Sequence, residues 1–130
     1  MMKTSLVLAA AVLALSAAGA HAEGDAAAGE KAFRKCAACH AVGPDAKNKV
    51  GPVLNGLLGS VIGKHPEDYK FSPALVEKGD AGETWNDENL AAWLKNPKEF
   101  AKGTKMAFAG LKKDDEIADI IAYLKTFPEK

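Results

Sequence analysis

The pentapeptide Cys36-Ala37-Ala38-Cys39-His40 constrains this chain more than any other stretch of its sequence. Two cysteines separated by two residues and followed at once by histidine form the pattern to which a c-type haem is covalently attached. Near the end of a helix the two cysteines lie on one face, so both sulfurs can reach the vinyl groups along one porphyrin edge. His40 can then bind the iron through neutral imidazole, and the pentapeptide is therefore the predicted haem site.

Other uses of a Cys-x-x-Cys pair fit this sequence less well. A redox-active dithiol belongs near a βαβ pattern, which this sequence does not show. A zinc site needs about four ligands, whereas the chain has two cysteines and, besides His21 and His40, only His65. A plain disulfide is compatible with the spacing. Because histidine follows the second cysteine directly, haem attachment is favoured over these three alternatives.

Residues 1–22 have the pattern of a secretory signal peptide. Lys3 precedes an apolar run over residues 6–15, and Ala20-His21-Ala22 forms an A-x-A cleavage site. The run is shorter than the ~20 apolar residues that span a bilayer as a helix, so a retained anchor is disfavoured. We therefore predict that residues 1–22 are removed and that residues 23–130 form one domain in the periplasm.

Charge and size restrict what this domain can do. Cleavage would leave sixteen basic and seventeen acidic residues, a net charge of −1, so the basic excess typical of nucleic-acid binding is missing. A chain this short buries only about two thirds of its unfolded surface, and its core is correspondingly marginal. A large apolar cofactor bonded to the chain would complete that core.

Capping and periodicity predict a helix at each end of the domain and no convincing strand. Asp25 is an N-cap candidate for a helix from residue 26 to Cys36 or beyond. Gly29 and Phe33 lie one turn apart in this helix, which suggests that another helix crosses closely there. The alternative, a glycine that the helix tolerates without such a contact, stays open. An amphipathic helix stopped by Pro128 is predicted from apolar residues at helical spacing, namely Ile117, Ile120, Ile121 and Leu124.

The middle of the chain is predicted to contain a long loop and then short helices. Ser72-Pro73 resembles an N-cap followed by proline at the first helical position, with Gly79 closing the turn pair. Asn86 caps another helix that Asn96-Pro97 ends, and residues 98–102 form one more turn. The loop over residues 41–63 cannot form a core by itself, so we expect it to wrap another object. The apolar residues expected to line that object are Val50, Val53, Leu54, Leu57, Leu58, Val61 and Ile62.

Met106 is the predicted second axial ligand of the iron. Once Met1 and Met2 leave with the signal peptide it is the only methionine, and it lies in a loop between Gly103 and Gly110. A thioether is soft and uncharged, and His/Met ligation raises the reduction potential of a haem. Core packing of Met106, ligation by His65 and an open sixth position are the alternatives.

These motifs together resemble the class I cytochromes c, and most closely the bacterial cytochrome c2 type, over nearly all of residues 23–130. Besides the haem motif, the resemblance rests on Gly29 with Phe33, the segment from Val50 to Gly56, Trp85, Asn96-Pro97, Gly103-Thr104-Lys105-Met106 and Tyr123-Leu124. It implies an all-α class I cytochrome c fold. In that fold four or five short helices and loops wrap one covalently bound haem c, and the N- and C-terminal helices cross at Gly29.

The resemblance also implies roles around the haem. The Pro52 carbonyl should accept a hydrogen bond from the non-ligating nitrogen of His40, which makes the imidazole a stronger donor. The Trp85 indole should reach a haem propionate, and Thr104 should help to pack the Met106 loop.

Three positions depart from the mitochondrial pattern. Ser60 stands where the mitochondrial relatives have an arginine near a propionate, and Trp93 where they have a tyrosine near the methionine. Phe71 replaces a propionate-bonding tyrosine, which leaves Tyr69 as the nearby candidate for that contact.

The predicted function is a soluble periplasmic one-electron carrier, because a six-coordinate iron offers no open site to a substrate. Seven lysines match family positions around the exposed haem edge and would dock acidic partners: Lys35, Lys47, Lys49, Lys98, Lys105, Lys112 and Lys113. Most acidic residues lie elsewhere, so the near-neutral domain would have a dipole that steers it.

The resemblance also implies redox partners for such a carrier. A quinol–cytochrome c oxidoreductase would be the donor, and a photosynthetic reaction centre or terminal oxidase the acceptor. The protein would be a monomer that is not embedded in the membrane and does not bind nucleic acid. A haem enzyme or gas sensor with a labile sixth ligand, such as a peroxidase, is the main alternative, and a relay subunit of a fixed complex is a third.

Overall fold

Five α-helices and one 3₁₀ turn make up the regular structure of residues 24–128, the part of the chain that the computed structural model describes. The helices are α1 (Ala26–Ala32), α2 (Pro73–Asp80), α3 (Asp87–Lys95), α4 (Pro97–Phe100) and α5 (Asp114–Leu124), and the 3₁₀ turn is Phe33–Lys35. Extended pairing within this range is limited to an isolated bridge between Val61 and Thr84. The all-α fold class is confirmed, and the predicted signal peptide lies outside the described residues.

Helices α1 and α5 cross in direct contact at Gly29. A Cβ atom on Gly29 would overlap the carbonyl oxygen of Asp119 and lie 2.7 Å from the Cβ of Tyr123. Asp25 caps α1 by accepting from the Ala27 N–H at 2.9 Å, and its own N–H donates to the Asp119 carboxylate at 2.8 Å. Glycine is therefore required at this position because no side chain fits between the two backbones.

The first helix ends earlier than predicted. The α-helix stops at Ala32 and tightens into the 3₁₀ turn before the haem motif, as the final turn of a helix often does. Cys36 and Cys39 therefore lie in a turn that follows the helix and not on the helix itself. The N–H groups of Cys39 and His40 both donate to the Cys36 carbonyl, at 3.1 and 2.9 Å, so the motif remains one compact turn.

The role predicted for Gly79 is wrong. Gly79 lies inside α2, and its hydrogen there leaves room for the Ile62 carbonyl oxygen, which a Cβ would overlap. The chain turns instead at Gly82, whose φ of 86° is in the left-handed region.

The asparagine caps behave as predicted. Asn86 and Asn89 form a reciprocal capping box at the start of α3, with both hydrogen bonds at 2.8 Å. Asn96 ends α3 and caps α4, which begins at Pro97, one residue before the turn that the sequence predicts.

The loop over residues 41–63 contributes to the core unevenly. Ile62 is completely buried, whereas Val53, Leu54, Leu57 and Leu58 are half-buried. Val50 and Val61, which are also expected to line the wrapped object, are 78% and 38% exposed to solvent in the protein alone. Val61 takes part in the bridge to Thr84, and the Val50 carbonyl accepts a hydrogen bond from the Tyr69 hydroxyl. In both cases a hydrogen-bonding contact of the backbone contributes to the position of the residue.

Candidate haem site

His40 is held in one tautomer by the backbone. Its Nδ1 lies 2.7 Å from the Pro52 carbonyl oxygen, and a carbonyl only accepts, so Nδ1 carries the proton and Nε2 keeps its lone pair. Burial lowers the pKa of His40 below its ordinary value, and the hydrogen bond to Pro52 opposes that effect. A neutral imidazole with a free Nε2 is the form that binds a metal.

Gly51 packs against the face of the His40 ring. A Cβ on Gly51 would lie 2.7 Å from Nδ1 of His40 and closer still to Cε1, so only glycine lets the backbone come this close to the imidazole ring. The Gly51 N–H donates to the Cys39 carbonyl at 2.8 Å, and the Leu54 N–H donates to the Ala41 carbonyl at 3.1 Å. The haem motif and the segment around Pro52 thus form one hydrogen-bonded unit.

The two cysteines of the motif are not joined to each other by a disulfide. Cys39 is exposed and Cys36 is half-buried, and burial raises the pKa of the Cys36 thiol. Catalytic dithiols depend on a lowered thiol pKa, so this environment disfavours the redox-dithiol interpretation. Two cysteine sulfurs beside an oriented imidazole instead match the donor set for covalent haem attachment.

A set of large apolar side chains packs against the core but stays only partly covered. It comprises Leu54, Leu57, Leu58, Phe71, Met106 and Phe108. Incomplete burial of so many apolar side chains in a small domain forfeits part of the hydrophobic stabilisation available to it. A cofactor with apolar faces would cover surface of this kind.

Ser72 carries a buried hydroxyl without a protein partner. The residue is 2% exposed, and its Oγ makes no hydrogen bond within the described residues. The sequence identified Ser72 correctly as the N-cap of α2, but the side chain does not cap the helix. A buried polar atom is rarely left unsatisfied, so Ser72 fits a hydrogen bond to an acceptor outside the protein, such as a cofactor carboxylate. Sequence reasoning missed this residue because a Ser-Pro cap explains it equally well.

Trp85 lies in an aromatic cluster. Its side chain is 6% exposed and stacks on Phe100 at 5.6 Å between ring centroids, and Trp93 lies 5.9 Å away. No hydrogen bond joins the Trp85 indole to another of residues 24–128. Like the Ser72 hydroxyl, it can donate to a group that is not part of the protein.

The Met106 loop is tied to both of its flanks. The Met106 N–H donates to Thr104 Oγ1 at 3.3 Å, so Thr104 contacts the backbone of the loop that it is predicted to help pack. The Leu111 N–H donates to the Leu94 carbonyl at 2.8 Å, which joins the end of the loop to α3. The rival ligand His65 is engaged elsewhere, because its Nε2 lies 3.1 Å from the Asn55 carbonyl oxygen.

Tyr69, a predicted site residue, and Ser60, which departs from the mitochondrial pattern, both have protein partners. The hydroxyl of Tyr69, the candidate for a propionate contact, donates to the Val50 carbonyl at 2.8 Å. Ser60 Oγ donates to the Leu57 carbonyl at 2.6 Å.

The seven lysines of the predicted docking surface are all exposed. Lys35 forms an ion pair with Glu116 at 2.5 Å, and Lys49 donates to the Ala37 carbonyl at 2.7 Å. Lys105 makes a longer contact, 3.5 Å, to the Lys70 carbonyl. Within residues 24–128, Lys47, Lys98, Lys112 and Lys113 are in no ion pair, so their charges face solvent.

Among the described residues, none of the helices is long and apolar enough to cross a membrane.

A C-x-x-C-H turn beside an oriented imidazole, in an all-α fold with crossed terminal helices, defines a protein of the c-type haem class. The cytochrome c family profile matches residues 26–128. Cytochrome c2 of Afifella marina is 50% identical over 101 residues, which are 78% of this chain and 81% of that protein. This chain belongs to the cytochrome c family, whose covalently attached cofactor is haem c and whose members carry electrons.

Solved structures agree with that assignment. Cytochrome cH from Methylobacterium extorquens superposes with a TM-score of 0.72 at 48% identity, covering 79% of this chain and 99% of its own. Cytochrome c2 from Rhodospirillum centenum superposes with a TM-score of 0.75 at 42% identity, covering 82% and 100%. The class I cytochrome c fold predicted from the sequence is confirmed.

Proposed function

We propose that this protein is a soluble periplasmic one-electron carrier with a six-coordinate His/Met haem c. Cys36 and Cys39 would hold the haem as thioethers, with His40 Nε2 and Met106 Sδ as the axial ligands. The observation that carries the proposal is the 2.7 Å hydrogen bond from His40 Nδ1 to the Pro52 carbonyl, which leaves Nε2 as the only free ligand atom of the ring. The haem supplies a one-electron Fe(III)/Fe(II) couple when bound.

The residues around His40 and Met106 would position these two ligands and bind the haem propionates. Pro52 fixes the tautomer of His40 and raises its basicity, and Thr104 anchors the backbone of the Met106 loop. Ser72 and Trp85 would donate to the haem propionates. Tyr69, the further candidate for that contact, already donates to Val50.

Carbon monoxide distinguishes this function from a haem enzyme or gas sensor. A saturated iron with two protein ligands offers no site to an added gas, so the reduced protein at neutral pH should not bind carbon monoxide appreciably. The measurement is the Soret band of the reduced protein before and after equilibration with the gas. Rapid, tight binding would contradict the carrier assignment and support an open or labile sixth position.

The location and partners extend the same proposal. The signal peptide would direct export and be cleaved after Ala22, and the mature protein would be a monomer that does not bind nucleic acid. Its donor would be a quinol–cytochrome c oxidoreductase, and its acceptor a photosynthetic reaction centre or terminal oxidase. Lysines around the haem edge would meet acidic surfaces on both.

Docking through those lysines predicts a steep dependence on salt. With a purified quinol–cytochrome c oxidoreductase, the second-order rate of reduction should fall at least about tenfold between low and high ionic strength, because salt screens the steering attraction. Lys98→Glu should lower the rate at low salt. Lys125→Glu, outside the seven-lysine set and paired with Asp87, is the matched charge reversal and should lower it less. A rate that is flat across ionic strength would contradict docking by this surface.

A further inference from the structure

Tyr69 reaches across the chain to the loop beside the haem motif. Its hydroxyl donates to the Val50 carbonyl at 2.8 Å, and the neighbouring Asp68 accepts from Asn48 Nδ2 at 3.1 Å. Residues 68 and 69 thus hold the segment of residues 48–52, here called the support loop, at two points. Neither contact is part of a helix, so each depends on the tertiary fold alone.

The support loop is the part of the protein that orients His40. Pro52 accepts the hydrogen bond from His40 Nδ1, and Gly51 packs on the imidazole ring without room for a Cβ. Any shift of these two residues therefore changes the environment of the ring directly.

A single peptide unit links Tyr69 to this arrangement. The carbonyl of Val50 and the N–H of Gly51 belong to the same planar group, and in a trans peptide they point in opposite directions. The carbonyl accepts from Tyr69 at 2.8 Å on one side, and the N–H donates to the Cys39 carbonyl at 2.8 Å on the other. Because the peptide unit is rigid, the hydrogen bond from Tyr69 to the carbonyl also fixes the direction of the Gly51 N–H, which bonds to the Cys39 carbonyl in the haem motif.

The exposure of Val50 is consistent with this constraint. Its side chain is 78% exposed, so side-chain packing contributes little to where this residue lies. The backbone here is held at both ends of the Val50–Gly51 peptide, so hydrogen bonding and not side-chain burial sets the orientation.

We propose that Tyr69 is a positioning residue for His40, a role that rests on the proposed function of His40 as an axial ligand. Its hydroxyl anchors the Val50–Gly51 peptide, which keeps the Pro52 carbonyl in line with His40 Nδ1. Its ring is placed for this by edge-on packing against Phe71, at 4.9 Å between centroids.

Tyr69→Phe in the haem-loaded protein tests the proposal, since it removes the hydroxyl and keeps the ring. Amide exchange at Gly51 should accelerate about fivefold, the factor that corresponds to the loss of one hydrogen bond of ordinary strength. The reduction potential should rise, because a less constrained Pro52 carbonyl makes His40 a weaker donor to ferric iron. Hydrogen exchange followed by NMR and a redox titration are the two measurements.

Thr126→Val is the matched control. Thr126 Oγ1 donates to the Tyr123 carbonyl at 2.6 Å, so this variant also loses a hydroxyl-to-carbonyl bond, but one outside the support loop. It should leave the potential unchanged, and any acceleration of exchange should be shared by the slowest amides of the protein and not be specific to Gly51.

Unchanged Gly51 exchange and potential in Tyr69→Phe, or equal shifts in Thr126→Val, would overturn the proposed role. Failure of the proposed function would show differently. In that case the parent protein itself would lack the visible spectrum of a His/Met haem, whereas faster exchange at Gly51 would be seen whether or not His40 binds iron.

Discussion

Replacing Met106 with alanine is expected to lower the reduction potential by more than about 0.1 V, a modest part of the ~0.8 V range that axial ligands span. The thioether favours ferrous iron, and its loss leaves an open position or admits a harder ligand such as water. Redox titration measures the shift, and the weak long-wavelength band that arises from sulfur bound to ferric iron should disappear at the same time.

Two further variants distinguish the effect of losing the sulfur atom from the effect of losing side-chain volume. Met106→Leu keeps the apolar bulk and should lower the potential as Met106→Ala does. Leu58→Ala removes another half-buried apolar side chain and should leave the long-wavelength band in place. A potential that is the same in the parent, Met106→Ala and Met106→Leu would rule out Met106 as the ligand.

Gly29→Val is expected to reduce the free energy of unfolding by about 3 kcal/mol, the upper end of the usual range for overpacked sites. The new Cβ would overlap the Asp119 carbonyl oxygen, and a backbone oxygen inside α5 cannot move aside as a side chain can. Denaturant unfolding of the haem-loaded protein, followed by circular dichroism, measures the change. A loss of this size is a large part of the ~5–15 kcal/mol that stabilises a typical domain.

The control for this variant lies in the same helix. Ala27 is exposed in α1, so Ala27→Val introduces the same β-branched side chain at a helical position without a neighbour to strike. It should lower the free energy of unfolding by less than about 1 kcal/mol, because helix propensities of ordinary residues differ by no more than that. Equal stability of the two variants would show that α1 and α5 do not cross as closely as the structure has them.

Local patterns predicted the helices well but not their ends. The apolar spacing of Ile117 to Leu124 and the Asn86 cap each depend on a few neighbouring residues, and both helices are present. The end of α1 was predicted too late, and Gly79 was assigned to a turn although it lies inside α2. At Gly79 a contact with a distant segment overrides local preference, because the Ile62 carbonyl packs against this residue. At the end of α1 the last turn tightens into a 3₁₀ turn, which residue spacing alone does not predict.

The candidate site was predicted in part. Cys36, Cys39 and His40 are adjacent in the chain, so their spacing alone indicates haem chemistry, and the haem c cofactor and the family are confirmed. The axial role of Met106, the propionate contacts and the docking lysines stay predictions. The structure adds the unpartnered hydroxyl of Ser72, which no local pattern marks.

The covalent chemistry of this protein could be predicted from residue order alone, because the two predicted thioether cysteines and the predicted axial histidine fall within five consecutive residues. The orientation of His40 could not be predicted in that way. The Pro52 carbonyl and Gly51 contact His40 from positions that are 12 and 11 residues away in the chain, and the Tyr69 hydroxyl bonds to the neighbouring Val50 carbonyl from a position 29 residues away from His40. Contacts over such separations depend on how the loops close around the core, and residue spacing along the chain carries no record of that closure.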